Sequence, residues 1–319
     1  MTQQNLLLLA DIGGTNARFA LSDGAAIRPS ANLQVAEHAS LPAAIDSFLT
    51  SAAAKGKIAA AGLAVAGPVE NGRCVIINSG WTVDGVELRA ALGCETVHLL
   101  NDFEALAWSL PALATGDVFA LGGGAARADA PMVVLGPGTG FGAAAFIPRG
   151  RASFAIAGEM GHSTLPGASD DDDRLIAQLR RKFGHVSIER VVSGQGLENI
   201  YQALASADSA AVPRRDAATI MQGALSRSCA ISTSSLDAFC RILGSVAGNL
   251  ALNFCARGGV FIGGGIAPRM AEYLQRSDFR TRFESKGRYR AYLADIPASI
   301  IMRPDATFVG LQQFLKCIA

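Results

Sequence analysis

Several short segments hold residue types that could do chemistry. Asp11-Ile12-Gly13-Gly14-Thr15-Asn16 sets a carboxylate, two glycines and a hydroxyl at a turn between two apolar runs. Successive glycines let backbone N–H groups approach a phosphate, and Thr15 adds a hydroxyl donor. Asp11 could hold a magnesium ion directly or through water; the bland alternative is an ordinary hairpin turn. Gly136-Pro137-Gly138-Thr139-Gly140-Phe141-Gly142 is a second such loop. It also fits a relaxed dinucleotide pattern at Gly138, Gly140 and Ala143, with Glu159 about 20 residues on. That motif must open a helix, whereas residues 143–147 end at Pro148 and read as a strand. Val260-Phe261-Ile262 followed by Gly263-Gly264-Gly265 is a buried strand running into a glycine triplet, with Pro268 near a helix start. The triplet either leaves room for a flat ring or sugar on the backbone or makes a tight turn.

The candidate acids and bases lie between these loops. Asn101-Asp102 follows an apolar strand and precedes the helical pattern over 103–110. A carboxylate at the C-terminal end of a strand points into the crevice where α/β folds bind ligands. The same pair is also good helix-capping chemistry, and spacing does not separate the two roles. Gly158-Glu159-Met160-Gly161-His162 places a carboxylate and an imidazole three residues apart, and Glu189-Arg190 begins a further helical stretch before Ser193-Gly194. Such groups suit a polyol ligand; the bland alternatives are a surface turn for the first and a helix-surface ion pair for the second. No G-x-x-x-x-G-K-S/T, H-R-D, D-F-G or G-x-S-x-G occurs, which excludes a P-loop fold, a protein kinase and the common hydrolase elbow.

Composition bounds what must position these groups. Thirty-five of 319 residues are glycine, well above the average share of roughly 7%. Hydrophobic residues at 50% and charged residues at 17% exclude a disordered chain. With only 12 prolines and no three-residue glycine period, collagen is excluded too. The net charge of +1 offers no whole-chain field for nucleic acid or an anionic membrane. Basic clusters at 180–182 and 276–290 read as solvated helix faces. The six scattered cysteines form no C-x-x-C pair and no zinc spacing, and suit a reducing cytosol. The apolar run 6–9 is too short for a signal peptide, and the uncharged run 130–148 reads as strand, loop, strand. These features predict a soluble, cytoplasmic protein.

Apolar runs at 6–10, 18–21, 58–65, 74–77 and 96–100 alternate with helical patterns at 41–54, 86–92 and 103–110, as in a mixed sheet covered by helices. After Pro111 a glycine- and alanine-rich loop over 122–130 leads to a second apolar run, 132–135. The chain is mostly helical from Asp170. The run Asp170-Asp171-Asp172-Asp173 reads as a helix start, with carboxylates at the positive end of the dipole. The longest helical pattern spans 235–255, followed by a strand at 260–262 and then by a strand and a helix in the tail. The Gly14-Thr15 pair recurs as Gly138-Thr139, each after an apolar strand, which suggests two domains of related fold.

As an ordered set, these segments resemble the bacterial glucokinase family, within the hexokinase–actin-like ATPase fold, over nearly the whole chain. The resemblance is carried by the run from Ala10 to Arg18, Leu100-Asn101-Asp102-Phe103, Gly136 to Gly140, Gly158 to His162, His185 to Gly194 and Gly258 to Ile266. It implies an α/β architecture of duplicated ribonuclease H-like domains with an interdomain cleft. A small domain would cover 1–110, with a tail from about 299 to 319 packing back on it, and a large one 111–298. The implied activity is ATP-dependent phosphorylation of the 6-hydroxyl of glucose, with Asp102 as general base. Asn101, Asp102, Glu159, His162 and Glu189 would hold the sugar. The main-chain turn Ala10, Asp11, Ile12, Gly13, Gly14, Thr15 and Asn16, with Gly138, Thr139 and Gly140, would hold the ATP phosphates. Gly264 and Gly265 would lie near the adenosine. Magnesium would be carried by ATP near Asp11. Related families use the histidine of the G-E-x-G-H motif as a zinc ligand beside a cysteine cluster; here no cysteine follows His162 until Cys229, so the expectation is no zinc. A homodimer, small-molecule substrates and no nucleic-acid or membrane partner are also implied. Met160 and the segment Asn78-Ser79-Gly80-Trp81 depart from the family pattern and bear on hexose selectivity. The alternatives are a kinase for another hexose or amino sugar, a catalytically silent sugar sensor and a nicotinamide-dependent oxidoreductase. A DNA-reading sensor would need a helix-turn-helix segment, for which the start of the nucleotide motif at Asp11 leaves no room.

Overall fold

Leu6, Leu8, Ala10 and Ile12 alternate along the first strand, and all four sit in one buried cluster, as a period of two requires. The computed structural model describes residues 5–28, 31–52, 56–76, 80–207 and 213–318. Ile77, Asn78 and Ser79 lie outside the described residues, as do 53–54 at the end of the first helical pattern. The chain forms two units, one made of 1–113, 150–155 and 303–319 and the other of 114–149 and 156–302.

The first unit contains β1 (Asn5–Ile12), β2 (Asn16–Ser22), β3 (Ala31–Gln34), α1 (Leu41–Ser51), β4 (Lys57–Val65), β5 (Arg73–Val75), β6 (Thr82–Asp84), α2 (Gly85–Leu92), β7 (Thr96–Asn101) and α3 (Asp102–Ser109). The helix starts follow local chemistry. The Ser40 hydroxyl accepts from the Ala43 N–H ahead of α1, and the Asp84 carboxylate accepts from Val86 and Glu87 ahead of α2. The main sheet has the order β3-β2-β1-β4-β7. Its β1, β2 and β3 are antiparallel, and β1, β4 and β7 run parallel.

The second unit follows with β8 (Val118–Gly122), β9 (Met132–Pro137), β10 (Phe141–Ile147), β11 (Phe154–Gly158), α4 (Asp170–Phe183), α5 (Gly194–Ala207), α6 (Ala217–Leu225), α7 (Ala230–Asn253), β12 (Gly259–Ile262), α8 (Ala271–Arg276), α9 (Phe279–Glu284), α10 (Arg290–Ala294) and β13 (Ala298–Ile301). Its sheet has the order β11-β10-β9-β12-β13-β8. Again an antiparallel hairpin, β9 with β10, is continued by parallel strands, β12 and β13. The repeat that the sequence carries as two Gly-Thr pairs is therefore a repeat of sheet topology. The segment 143–147 is strand, which removes the helix that a dinucleotide motif needs.

The tail divides between the units. Its strand β13 pairs with β12 and β8 in the second sheet, while the final helix, α11 (Ala306–Ile318), belongs to the first unit. There Phe314 meets His98 of β7 and Trp108 of α3 edge-on, each at a centroid distance of 5.4 Å. Among the described residues no helix is long and apolar enough to cross a membrane.

The acidic run opens α4 as its composition requires, but one of its members does more. The Ser169 hydroxyl caps the helix by accepting from the Asp172 N–H. Asp172 turns inward, with its side chain 3% exposed, and pairs with Arg241 of α7 at 2.9 Å and Arg282 of α9 at 2.8 Å. One carboxylate thus ties three helices together. Removing it strands two largely buried guanidinium groups, a loss of about 3–5 kcal/mol. Asp172→Ala should therefore move the urea midpoint down at constant slope. A loss below about 1 kcal/mol would mean that the pair holds nothing together.

Candidate active site

In the first unit the parallel register brings the sequence motifs to one sheet edge. Ile12 of β1 lies opposite Val65 of β4, and Val65 lies opposite Asn101 of β7. Two interstrand steps put the glycine turn after β1 roughly 10 Å from the Asn101-Asp102 step. The turn itself is closed by the Gly13 N–H donating to the Asn16 carbonyl at 2.9 Å, with Thr15 and Asn16 exposed. Ala10 and Ile12 are different. Both side chains lie in the core, so any contact they make with a ligand is through main chain. Asp11 faces Arg18 across the hairpin, and the two side chains form an ion pair. Arg18 also donates to the Pro304 carbonyl at 2.9 Å and lies over the Phe308 ring, which ties the turn to the C-terminal segment.

The capping question at β7 is resolved by geometry. The Asn101 side-chain oxygen accepts from the Phe103 and Glu104 N–H groups, at 3.0 and 3.3 Å, and its amide donates to the Gly67 carbonyl at 3.4 Å. Asn101 is the N-cap, and Asp102 occupies the first helical position, half-buried, with its carboxylate accepting from the Phe103 N–H at 2.9 Å. The positive end of α3 favours a negative charge there. Burial pushes the neighbouring Glu104 carboxyl up. The nearby Cys74 thiol is raised as well, chiefly by burial and then by the Asp102 charge.

In the second unit the remaining motifs meet. The β9–β10 turn is closed by the Gly138 N–H donating to the Gly140 carbonyl at 2.8 Å, and the Gly194 N–H donates to the Gly138 carbonyl at 2.9 Å. The Glu189 carboxylate reaches this turn and accepts from the Phe141 N–H at 3.0 Å. The Glu189 N–H donates to the Gly161 carbonyl at 2.9 Å, which joins the G-E-M-G-H segment to the same cluster. Residues 189–190 form a turn and do not begin a helix, contrary to expectation. The helix begins at Gly194, where the Ser193 hydroxyl accepts from the Gly196 N–H at 2.9 Å. Glu159 precedes and His162 ends a single 3-10 turn, with His162 Nε2 and Glu159 Oε2 3.7 Å apart and both side chains about two-thirds exposed.

The third glycine loop packs on the second main chain to main chain. A Cβ on Gly136 would stand 2.3 Å from the Gly263 carbonyl oxygen. Gly264 has φ +82°, and a Cβ there would stand 2.5 Å from the Pro137 oxygen. Beside them opens a cleft of about 720 Å³ lined by Gly138, Thr139, α5 and α6 residues such as Leu197 and Met221, and Ile266 and Arg269. Its described lining has apolar walls, one cation and no carboxylate, and its size suits a small ligand with a flat apolar part. The α5 and α6 wall escapes a motif search, because its residues read as ordinary amphipathic helix. Arg18 lies within the first motif, but its role exists only across the hairpin. Among the described residues no three His, Cys, Asp or Glu side chains group as a metal site.

Comparison with known proteins shows which family the chain belongs to. A family described as Glucokinase matches residues 8–317. A glucokinase of Paramagnetospirillum magneticum is 43% identical over 311 residues, covering 96% of each chain. A "Bifunctional protein glk" of Burkholderia pseudomallei is 40% identical over 314 residues; the match covers 97% of this chain and 48% of that protein, so this chain spans about half of its length. The crystal structure of a glucokinase from an Antarctic psychrotroph aligns with a TM-score of 0.90 at 36% identity, over 98% of this chain and 99% of that one. The fold is that of the actin- and hexokinase-like ATPases. The chain belongs to the glucokinase family, and it is a hexose kinase that uses ATP.

Proposed function

We propose that this protein transfers the γ-phosphoryl group of ATP to the 6-hydroxyl of glucose, with Asp102 accepting the hydroxyl proton as the oxygen attacks. The observation that carries the assignment is the division of labour at the end of β7. Asn101 performs the capping, so the Asp102 carboxylate is not needed to start α3. It stands on the same sheet edge as the Gly13–Thr15 turn. Phosphoryl transfer demands positioning and charge neutralisation more than covalent chemistry, and these groups supply the first requirement.

In this reading the N–H groups of the turn at Gly13, Gly14 and Thr15, with the Gly138–Gly140 turn and the Thr139 hydroxyl, hold the phosphates. The cleft beside Gly264 and Gly265 takes the adenosine. Glu159, His162 and Glu189 are proposed to hydrogen-bond sugar hydroxyls, and so is Asn101. The exposure of Glu159 and His162 keeps both available to a polyol. Glu189 would link the sugar to the phosphates, because its carboxylate already holds the Phe141 N–H. Mg²⁺ would enter on the nucleotide, and when bound it supplies charge neutralisation at the phosphates. The Asp11 carboxylate is engaged by Arg18, so its hold on the ion would run through water.

Asp102→Asn leaves the Asn101 cap intact while it removes the proton acceptor and the negative charge at the start of α3. Turnover should fall by about 10²–10⁴-fold, equivalent to about 3–5 kcal/mol of transition-state stabilisation, with glucose affinity retained by calorimetry. Near-normal turnover would rule out the base assignment. A coupled ADP-release assay across glucose, fructose, mannose and N-acetylmannosamine tests the acceptor. Glucose should give the highest kcat/KM, and a larger value for any other sugar would reassign the substrate.

A further inference from the structure

The basic run at 180–182 reads in the sequence as a solvated helix face, but the fold closes part of it into a cavity. A pocket of about 330 Å³ lies between α4 and α5, apart from the 720 Å³ cleft. Its polar lining is Gln178, Arg181 and Lys182 from α4 and Asn199, Gln202 and Ser206 from α5. The described lining therefore holds two cations, three amides and a hydroxyl, and no carboxylate. The carboxylate of α5, Glu198, is engaged elsewhere: it accepts from the Ala217 N–H at 3.2 Å and from the Gln195 amide at 3.0 Å.

Asn199 fixes the geometry. It is 3% exposed, its side-chain oxygen accepts from the Lys182 Nζ at 3.3 Å, and its amide donates to the Arg190 carbonyl at 3.0 Å. Lys182 Nζ also lies over the Phe183 ring, 4.7 Å from its centroid. The ammonium is thus held at the cavity by a neutral amide and a ring. The Arg181 guanidinium has no ion pair or hydrogen bond among the described residues. Basic residues in the last turn of α4 offset the negative end of the helix dipole, but that role needs neither a cavity nor amides facing it. A phosphate monoester carries a charge of about −1.5 to −2 at neutral pH and accepts from both a guanidinium and an ammonium. The amides of Gln178 and Gln202 and the Ser206 hydroxyl offer the mixed donors and acceptors that a polyol body requires.

We propose that this cavity binds a sugar phosphate, the class of compound that a hexose kinase produces, and that its occupancy weakens nucleotide binding. The phosphate sits on Arg181 and Lys182, and the polyol body on the amides. A phosphate that draws Lys182 away leaves the buried Asn199 oxygen without its donor, which is costly, so the amide turns and loosens its hold on the Arg190 carbonyl. Arg190 adjoins Glu189, whose carboxylate holds the Phe141 N–H at the β9–β10 turn. The first residue of α5 holds the same turn through the Gly194 N–H, and Leu197 of α5 lines the 720 Å³ cleft. The binding stands on the cavity alone; the coupling rests on the reading of that turn and cleft as the nucleotide site.

Calorimetry on the full chain, with glucose at saturation to occupy the sugar site, tests the binding. Glucose 6-phosphate should bind once per chain, and Arg181→Ala should weaken it by about tenfold with basal turnover unchanged. Absence of binding, or equal affinity in Arg181→Ala, would overturn the site. Inorganic phosphate should bind at least about tenfold more weakly than glucose 6-phosphate, and equal affinity would overturn the sugar body. For the coupling, saturating glucose 6-phosphate should weaken ADP binding at least about fivefold, and Lys182→Ala should show that weaker binding before any is added. Unchanged ADP affinity would overturn the coupling. Failure of the protein to bind ADP at all would overturn the nucleotide reading and the coupling with it, while Arg181→Ala still decides the site.

Discussion

The contact on which the second unit depends is the approach of two glycine loops closer than any side chain allows. Gly136 and Pro137 meet Gly263 and Gly264 main chain to main chain, where a Cβ would fall within 2.5 Å of a carbonyl oxygen. Buried backbone groups must still be paired, and here they are: the Gly263 N–H donates to the Leu135 carbonyl and the Gly194 N–H to the Gly138 carbonyl. Three segments far apart in the chain are thus held by main-chain hydrogen bonds. The cleft beside them, and the Glu189 carboxylate on the hairpin, follow from that arrangement.

The first unit solves a similar problem without such a contact. Parallel pairing of β1, β4 and β7 delivers the turn after β1 and the Asn101-Asp102 step to one edge. Opposite charges then fix the hairpin, Asp11 on one strand facing Arg18 on the next. Both sheets hold an antiparallel hairpin continued by parallel strands, the second closed at its edge by β8 antiparallel to β13, and in both the glycine turns lie where strands end.

Much of the fold is legible in the sequence where a local signal exists. Strands β1 and β4 alternate or run apolar, the acidic run at 170–173 starts a helix, and the Gly-Thr pairs mark both hairpins. Errors arise where the deciding partner is distant. Residues 189–190 look helical, yet the Glu189 N–H is claimed by Gly161, and the chain turns before Ser193 caps α5. The strand at 298–301 has no local feature that says which sheet it joins; β12 and β8 decide it.

The candidate site divides in the same way. The glycine loops, Asn101-Asp102 and G-E-M-G-H could be picked out from residue type and spacing alone, because each is a short run whose chemistry is local. What only the tertiary structure decided is the use of each group. It made Asn101 the cap, turned Ala10 and Ile12 into the core, paired Asp11 with Arg18, drew Asp172 to two arginines and built the cleft wall from ordinary helix faces. Those outcomes depend on which main chain lies within a few ångströms of which other. Spacing along a sequence does not encode that distance; burial and hydrogen-bond satisfaction in the folded chain set it.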